Sequence, residues 1–367
     1  MNDPFKEYKF KNGAKLRNRF VLAPMTTYSS NDDLTVSDEE NIYYNARAKQ
    51  FGMVITGATA VSKNAQAFDH QISIKDEGYL DSMTKLATSI KKEGAKAIVQ
   101  LHHGGRMNQP GLYPDQDIVS ASAIKAERKN CETPRELKNS EVYEIFDYFT
   151  NATKLAIKAG FDGVELHGAN TYLLQQFFSP HSNRRTDEFG GTREKRARFI
   201  LELVDRVIKV KKEFAKKEFI IGYRFSPEEL ENPGITLEDT LYLVEQLSRK
   251  NIDYLHISLG EYKQSSTRDK TDIIPIITQI KKRIRDAKPI IGVGRIETVE
   301  DVAACERLGY DLFAIGFASL ADPEIIDHLK MNGVGNKNIT SKSLLPQRLY
   351  TRLRLWVADS DHGYTIK

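Results

Sequence analysis

The sequence predicts a single (β/α)8 barrel, and three observations carry that prediction. Eight short β-rich runs recur along the chain, each followed by a helical stretch. Two connections are unusually long, 103–139 after the third run and 168–192 after the fourth, and both lie at the carboxyl ends of strands, where barrel active sites are built. The length of 367 residues is ordinary for one α/β barrel with insertions, and no low-complexity segment, linker or repeat divides it. An open doubly wound sheet is the alternative reading of the same alternation.

In chain order the runs are "NRFVLAPM" (18–25), "GMVITGATAV" (52–61), "AIVQLHH" (97–103) and "DGVELHG" (162–168). They continue with "FIIGYRFS" (219–226), "DYLHISLG" (253–260), "PIIGVGR" (289–295) and "DLFAIGF" (311–317). Amphipathic segments between them include 81–93, 141–159, 193–212, 237–250, 273–286 and 297–308. The tail beyond 340 reads as an extra helix outside the barrel. The expected division is therefore a barrel over 1–340 and a helical extension over 341–367, packed on its own barrel or on a neighbouring subunit. Leu344, Leu345, Leu349, Leu353 and Trp356 recur there at helix-like spacing, so a fold-back and a homodimer both stay open.

Apolar residues make up 40% of the chain, enough for a sizeable core. The net charge of +4 comes without a basic block, which argues against a nucleic-acid or membrane partner. No apolar run approaches the ~20 residues of a membrane helix, and "MNDPFKEYKF" lacks a signal-peptide core. A cytoplasmic protein is the expectation. Cys131 and Cys305 are the only cysteines, too few for a disulfide framework, a four-cysteine zinc site or an iron–sulfur cluster, and no metal is expected.

Strand side chains alternate. If Val164 and Leu166 pack against helices, then Gly163, Glu165 and His167 point into the barrel. The same parity turns Ile98 and Gln100 inward, and Ile220, Gly222 and Arg224. Glu165 and Arg224 would share a small interior, and a structural ion pair is the plain reading of Glu165. Gln100 and Arg224, nearer the mouth, are candidates for ligand contacts. His167 and Asn170 fall on one face if the chain turns helically after the strand. Two such donors aimed at one carbonyl oxygen would stabilise an enolate, and the phenol of Tyr172 could protonate its carbon. That chemistry needs a hydride source, which no side chain provides.

Barrels often hold phosphate in the loops after strands seven and eight. Here those loops are "GVGRI" and "AIGFASLADP", where Gly292, Gly294 and Gly316 let a backbone come close and Arg295 brings a charge. No GxGxxG fingerprint follows a strand, so a mononucleotide in the barrel mouth fits better than a Rossmann dinucleotide. "APMTTYSS" (Ala23 to Ser30) offers small polar groups to the edge of a flat ring.

With these motifs in order, the chain resembles the old yellow enzyme family, FMN-dependent ene-reductases on a (β/α)8 barrel. The resemblance runs from about residue 5 to 330 through "NRFVLAPMTTYSS", "QLHHGGR", "ELHGANTYLLQQFFSPHSNRRTDEFGG", "IIGYRFS", "GVGRI" and "AIGFASLADP". It implies FMN in the barrel mouth, reduced by NADH or NADPH, with hydride passing to an activated alkene. Ala23, Pro24, Met25 and Thr26 would line the flavin, Ala58 would offer backbone contacts, and Gln100 would bond the pyrimidine side. Arg224 would sit at the N1–C2 carbonyl side, while Gly294, Arg295 and Gly316 would hold the phosphate. His167 and Asn170 would bind the substrate carbonyl, Tyr172 matches the proton donor, and Tyr28 a second phenol that touches substrate. His103 and Arg106, which also match, read as scaffold.

Two departures stand out. Many relatives carry Cys where this chain has Thr26, and the family usually has Arg where this chain has Phe317, which leaves Arg295 more of the phosphate. Other readings have less support. The larger dienoyl-CoA reductase branch needs a cysteine cluster and a further dinucleotide domain. A glycosidase pairing Glu165 with Glu228 or Glu229 leaves the phosphate loops and the His–Asn–Tyr set without use. A non-enzymatic flavin-binding protein, or a flavin or quinone reductase without a specific alkene, remains the functional alternative.

Overall fold

The structure is a computed structural model, and it describes residues 3–113, 116–358 and 363–366. Eight parallel strands close into a barrel: β1 Phe20–Leu22, β2 Met53–Ala60, β3 Lys96–His102, β4 Gly163–Gly168, β5 Ile220–Phe225, β6 Tyr254–Ile257, β7 Ile290–Val293 and β8 Leu312–Ile315. Each strand pairs with its neighbour in sequence, and β8 closes on β1 through Phe313 beside Phe20. The open-sheet alternative is thereby excluded.

Helices wrap the outside: α1 Asp38–Ala48, α2 Leu80–Lys92, α3 Asn139–Lys158, α5 Arg193–Phe214, α6 Leu237–Ser248, α7 Ile276–Ile284 and α8 Val299–Leu308. A short helix, α4 Leu173–Phe178, sits in the loop after β4. After β8 come α9 Phe317–Ala321, α10 Ile325–Asn332 and α11 Gln347–Ala358. Local chemistry starts several of them. Ser37 with Glu40, Thr236 with Asp239, and Thr298 with Asp301 form reciprocal capping boxes at α1, α6 and α8.

Strand alternation divides the apolar residues into two cores. Val99, Leu101, Val164, Leu166, Ile221 and Tyr223 face outward into the layer shared with the helices. Val21, Met53, Ile98, Ile220, Ile291 and Leu312 fill the lower barrel. An N-terminal hairpin, Tyr8–Lys9 paired with Lys15–Leu16, closes that lower end with Phe10, Ala14 and Leu16. The lower barrel is thus apolar and sealed, which confines chemistry to the opposite mouth.

The described residues of the two long loops carry structure of their own. The first contains a two-stranded sheet, Val119–Ser120 beside Arg135–Glu136. Arg185, buried in the second loop, donates to the carbonyls of Ala121 and Leu137 and to Asn139 Oδ1, and it pairs with Asp187. One guanidinium thus ties both loops together at the rim. In the tail, Leu349 and Leu353 are buried and join the outer core, while residues 359–362 and 367 of the expected extension lie outside the described residues. Arg47 of α1, fully buried, anchors the approach to the tail through the carbonyls of Ser319 and Ser343. Among the described residues no helix is long and apolar enough to cross a membrane.

Candidate active site

Register decides which polar side chains meet above the sealed floor. Gln100 of β3 lies opposite Glu165 of β4, and Arg224 of β5 lies between His167 of β4 and His256 of β6. Glu165 is fully buried and accepts from Gln100 Nε2 at 2.7 Å, Tyr254 OH at 3.0 Å and His256 Nδ1 at 2.9 Å. Gly222 makes room for the Tyr254 ring, since a Cβ there would lie 2.0 Å from it. Burial opposes the Glu165 charge, but His256, Arg224 and Gln100 outweigh it and hold its pKa below the usual carboxylate value.

The expected Glu165–Arg224 ion pair is therefore replaced by a three-donor cage. Arg224 sits one layer higher, influences Glu165 through space, and donates from Nη2 to Ser258 Oγ at 3.2 Å. Its Nε and His256 Nε2 are buried without a partner among the described residues. The buried Arg224 N–H calls for an acceptor from a ligand, and His256 Nε2, whose ring proton sits on Nδ1 facing Glu165, calls for a donor.

The end of β4 turns differently from the helical turn expected for His167 and Asn170. Asn170 and Thr171 both take left-handed backbone, with φ of 56° and 67°, and α4 begins only at Leu173. Asn tolerates that region better than most residues, and two consecutive strained positions at a strand end are a frequent mark of a functional site. The turn is held by Asn170 N–H donating to Ser226 Oγ at 2.9 Å. Asn170 Oδ1 accepts from Ser258 Oγ at 2.9 Å, which leaves its amide N–H groups for a ligand.

His167 is buried, and its Nδ1 accepts from the backbone N–H of Ala169 at 3.3 Å. That bond assigns the ring proton to Nε2. Burial, then His102, Arg224 and His256, hold its pKa well below the ordinary value, so the ring is neutral near pH 7 and donates without carrying charge. Tyr172 stands edge-on to His167 at 5.0 Å and to His102 at 4.4 Å between ring centres. Burial, then the neighbouring Tyr28, raises the Tyr172 pKa, so the phenol keeps its proton. Tyr28, itself left-handed at φ 56°, meets Phe68 at 5.6 Å. Phe68 in turn meets Tyr172 at 5.9 Å, which links the two phenols through one ring. The Arg352 guanidinium of α11 lies 4.0 Å over the Tyr28 ring.

The stretch after β1 runs along the opposite wall. Ala23 is buried, and Pro24, Met25 and Thr26 are half-buried. Gly316 follows β8 next to them, where a Cβ would stand 3.5 Å from Met25 Sδ and 3.6 Å from Ala23 Cβ. Ala58 sits just past a register shift in β2, and its carbonyl accepts from Gln71 Nε2 at 3.0 Å. Gln100 uses its amide nitrogen on Glu165, so its Oε1 is what remains for a ring N–H. Gly294 and Arg295 turn left-handed at φ 119° and 52° after β7. Gly294 is required there, because a Cβ would lie 2.9 Å from the Glu261 backbone.

Beside that turn is a cavity of about 500 Å³, lined by Gly260, Arg295, Glu297, Phe317, Lys337, Trp356 and Tyr364. A larger cavity of about 680 Å³ lies at the other end of the barrel, among Lys11, Lys211 and Lys288, and includes none of these groups. The donor set suits FMN. Arg224 and Gln100 meet the needs of a ring edge with carbonyl and N–H groups, and the strand-seven and strand-eight turns with Arg295 suit a phosphate.

Several of these residues were missed in the sequence. His102, His256 and Ser258 continue the inward parity of Gln100 and Tyr254, so the signal existed. Phe68, Lys337 and Arg352 come from loops and the tail, where no periodic signal marks them. The carboxylates of the glycosidase reading are committed elsewhere. Glu229 accepts from Gln175 Nε2 and Ser179 Oγ, and Glu228 from Ser266 Oγ and the Thr267 N–H.

The chain is similar to known proteins of one family. The family model for the NADH:flavin oxidoreductase / NADH oxidase family matches residues 3–334. The chain is 43% identical over 319 residues to "Probable NADH-dependent flavin oxidoreductase YqiG" of Bacillus subtilis (strain 168), covering 87% of this chain and 85% of that one. It is 43% identical over 320 residues to NADH:fumarate oxidoreductase of Klebsiella pneumoniae (strain 342), covering 86% of this chain but 35% of that protein. The chain thus spans about a third of the length of that relative. Morphinone reductase in complex with tetrahydroNAD superposes with a TM-score of 0.80 at 28% identity, covering 92% of each chain. The match over residues 3–334, the closed barrel and a mouth furnished for a flavin lead to one conclusion: the chain belongs to the NADH:flavin oxidoreductase / NADH oxidase family of FMN oxidoreductases.

Proposed function

We propose that the protein is an NAD(P)H-dependent FMN ene-reductase acting on a small alkene activated by a carbonyl group. The observation that carries this reading is the donor state of the mouth. His167 has its Nδ1 occupied by the Ala169 N–H, and Asn170 has its Oδ1 occupied by Ser258. Both are left with an N–H to offer, and one carbonyl oxygen accepts two. When bound, FMN supplies the hydride to the β-carbon, having been reduced by NADH or NADPH.

His167 and Asn170 hold the carbonyl oxygen and stabilise the negative charge that develops on it. A neutral imidazole serves this role well, since it donates without placing a full cation beside Arg224. Tyr172, kept protonated, delivers its phenol proton toward the α-carbon. Arg224 with Gln100 holds the cofactor ring edge, and the Glu165 cage fixes Gln100 from below. Ala23, Pro24, Met25, Thr26 and the Ala58 backbone line the ring, while Gly294, Arg295 and Gly316 face the phosphate.

The purified protein should be yellow and release FMN on denaturation. Phenols, which mimic an enolate oxygen, should bind with a long-wavelength charge-transfer band. His167→Ala or Asn170→Ala should weaken that binding and slow enone reduction, each by ~2.7–4 kcal/mol where charge develops. A colourless protein that takes up no FMN would overturn the reading, as would unchanged phenol binding in the double variant.

The reading takes small molecules as the protein's partners, without nucleic acid, in the cytoplasm. A homodimer is part of it but is supported only by Leu355 and Trp356, exposed on α11, because Leu349 and Leu353 turn into their own barrel. Light scattering separates a dimer from the 41.7 kDa monomer.

A further inference from the structure

The sequence leaves a gap at the phosphate end of the flavin site, because Phe317 stands where the resemblance leads one to expect an arginine. Lys337 lines the same 500 Å³ cavity as Arg295 of the strand-seven turn, together with Phe317, Trp356 and Tyr364. We propose that Lys337 is the second phosphate-binding cation of the site, acting with Arg295 in place of a guanidinium at position 317. The proposal rests on the reading that FMN occupies the mouth.

Lys337 is positioned by a framework, not by chance of a long side chain. Its carbonyl accepts from the Thr365 N–H at 3.1 Å, and the next residue, Asn338, pairs with Thr365 in a parallel two-stranded sheet. Upstream, Val334 bridges Thr298, and the Gly333 carbonyl accepts from Val299 N–H at 2.9 Å. The backbone of 333–338 is therefore fixed at both ends against the start of α8 and the C-terminal strand.

The ammonium is held as well. Lys337 Nζ lies 2.9 Å from Glu297 Oε2 and 5.4 Å from the centre of the Tyr364 ring. An ammonium has three donors, so it can keep Glu297 and still give an N–H to a phosphate oxygen. Burial, then the Glu297 charge, raises the Tyr364 pKa, so that phenol keeps its proton, and the Lys337 ammonium offsets the negative charge that would otherwise face the ligand.

Phe317 has a definite role in this arrangement. Its ring packs 4.4 Å from Trp356 and 4.6 Å from Tyr364. The residue that removes one cation from the strand-eight turn thus forms the apolar seat for the C-terminal segment. That segment, through Thr365 and Tyr364, sets Lys337 in place. Loss of the guanidinium and arrival of the ammonium are two consequences of one packing arrangement.

The test compares FMN with riboflavin, which has the same ring and no phosphate. The protein is stripped of flavin, and each compound is titrated back by flavin fluorescence for wild type, Lys337→Ala and Lys337→Arg. Lys337→Ala should weaken FMN binding about tenfold, the lower end for a charge-assisted hydrogen bond at a partly exposed site. Riboflavin affinity should stay unchanged, and Lys337→Arg should restore most of the FMN affinity. FMN binding within twofold of wild type in Lys337→Ala, or an equal loss for both flavins, would overturn the role of Lys337 while leaving the flavin reading intact. Failure of the wild type to bind either flavin would instead remove the flavin reading itself, and this proposal with it.

Discussion

Two adjacent histidines make the stability of this protein depend on acid in a way that can be worked out. His102 and His103 are fully buried, and burial pulls both pKa values down to about 3. In the unfolded chain each returns to about 6.5. A histidine depressed in the folded state adds stability above its unfolded pKa, and this is lost as pH falls through 6.5 toward 3. Between pH 7 and pH 5 the loss is about 2 kcal/mol for each, a large share of a typical 5–15 kcal/mol. Glu40 works the other way. Burial raises its pKa to about 7, so protonation favours the folded state, and over the same interval it returns about 2 kcal/mol.

A variant isolates the histidine contribution from that compensation. His103 Nδ1 accepts from the Gly105 N–H at 3.1 Å, and Asn offers an oxygen for the same bond without titrating. His103→Asn will cost some stability at pH 7 through lost packing. At pH 5 its deficit relative to wild type should be smaller by about 2 kcal/mol, roughly thirtyfold in the unfolding constant. Urea unfolding with saturating FMN at both pH values reads this directly, since the ligand contribution is common to both proteins. A deficit that is the same at pH 5 and pH 7 would refute the reasoning, because His103 would then titrate alike in both states.

Two other perturbations have expected outcomes. Tyr172→Phe keeps the ring against His102 and His167 but removes the proton. Stopped-flow traces should show flavin reduction by NADH or NADPH little changed and transfer to cyclohexenone slowed by ~10²–10⁴-fold; an intact alkene step would shift the donor role to Tyr28. Glu165→Gln leaves one oxygen for three donors, so one donor faces an amide N–H, and the urea midpoint should fall in line with ~1–3 kcal/mol of lost stability. An unchanged midpoint would mean that the cage already holds a protonated carboxyl.

The period-two pattern of the strands is a local steric property, and it was enough to turn Gln100, Glu165, His167 and Arg224 into the barrel and to leave Val164 and Leu166 for the helices. Capping pairs such as Thr298 with Asp301, and glycine at the strand-seven turn, are local in the same sense. What those inward groups bond to was not legible. Glu165 meets His256 rather than Arg224 because the register of β4, β5 and β6 sets their heights, and register is fixed only when the barrel closes. Asn170 owes its free amide to Ser258, 88 residues away. Its left-handed turn is stabilised by Ser226, just past the end of the next strand, so the helical turn expected from spacing gave way to a long-range bond. Arg352 over Tyr28 and Lys337 in the cavity of Arg295 depend on where the tail docks, which follows from the shape left by Phe317 and Arg47. The chain itself determined which side of each strand faces the mouth, because alternation needs only neighbouring residues. The tertiary structure decided the partners, because distances between remote segments exist only after closure and docking have fixed them.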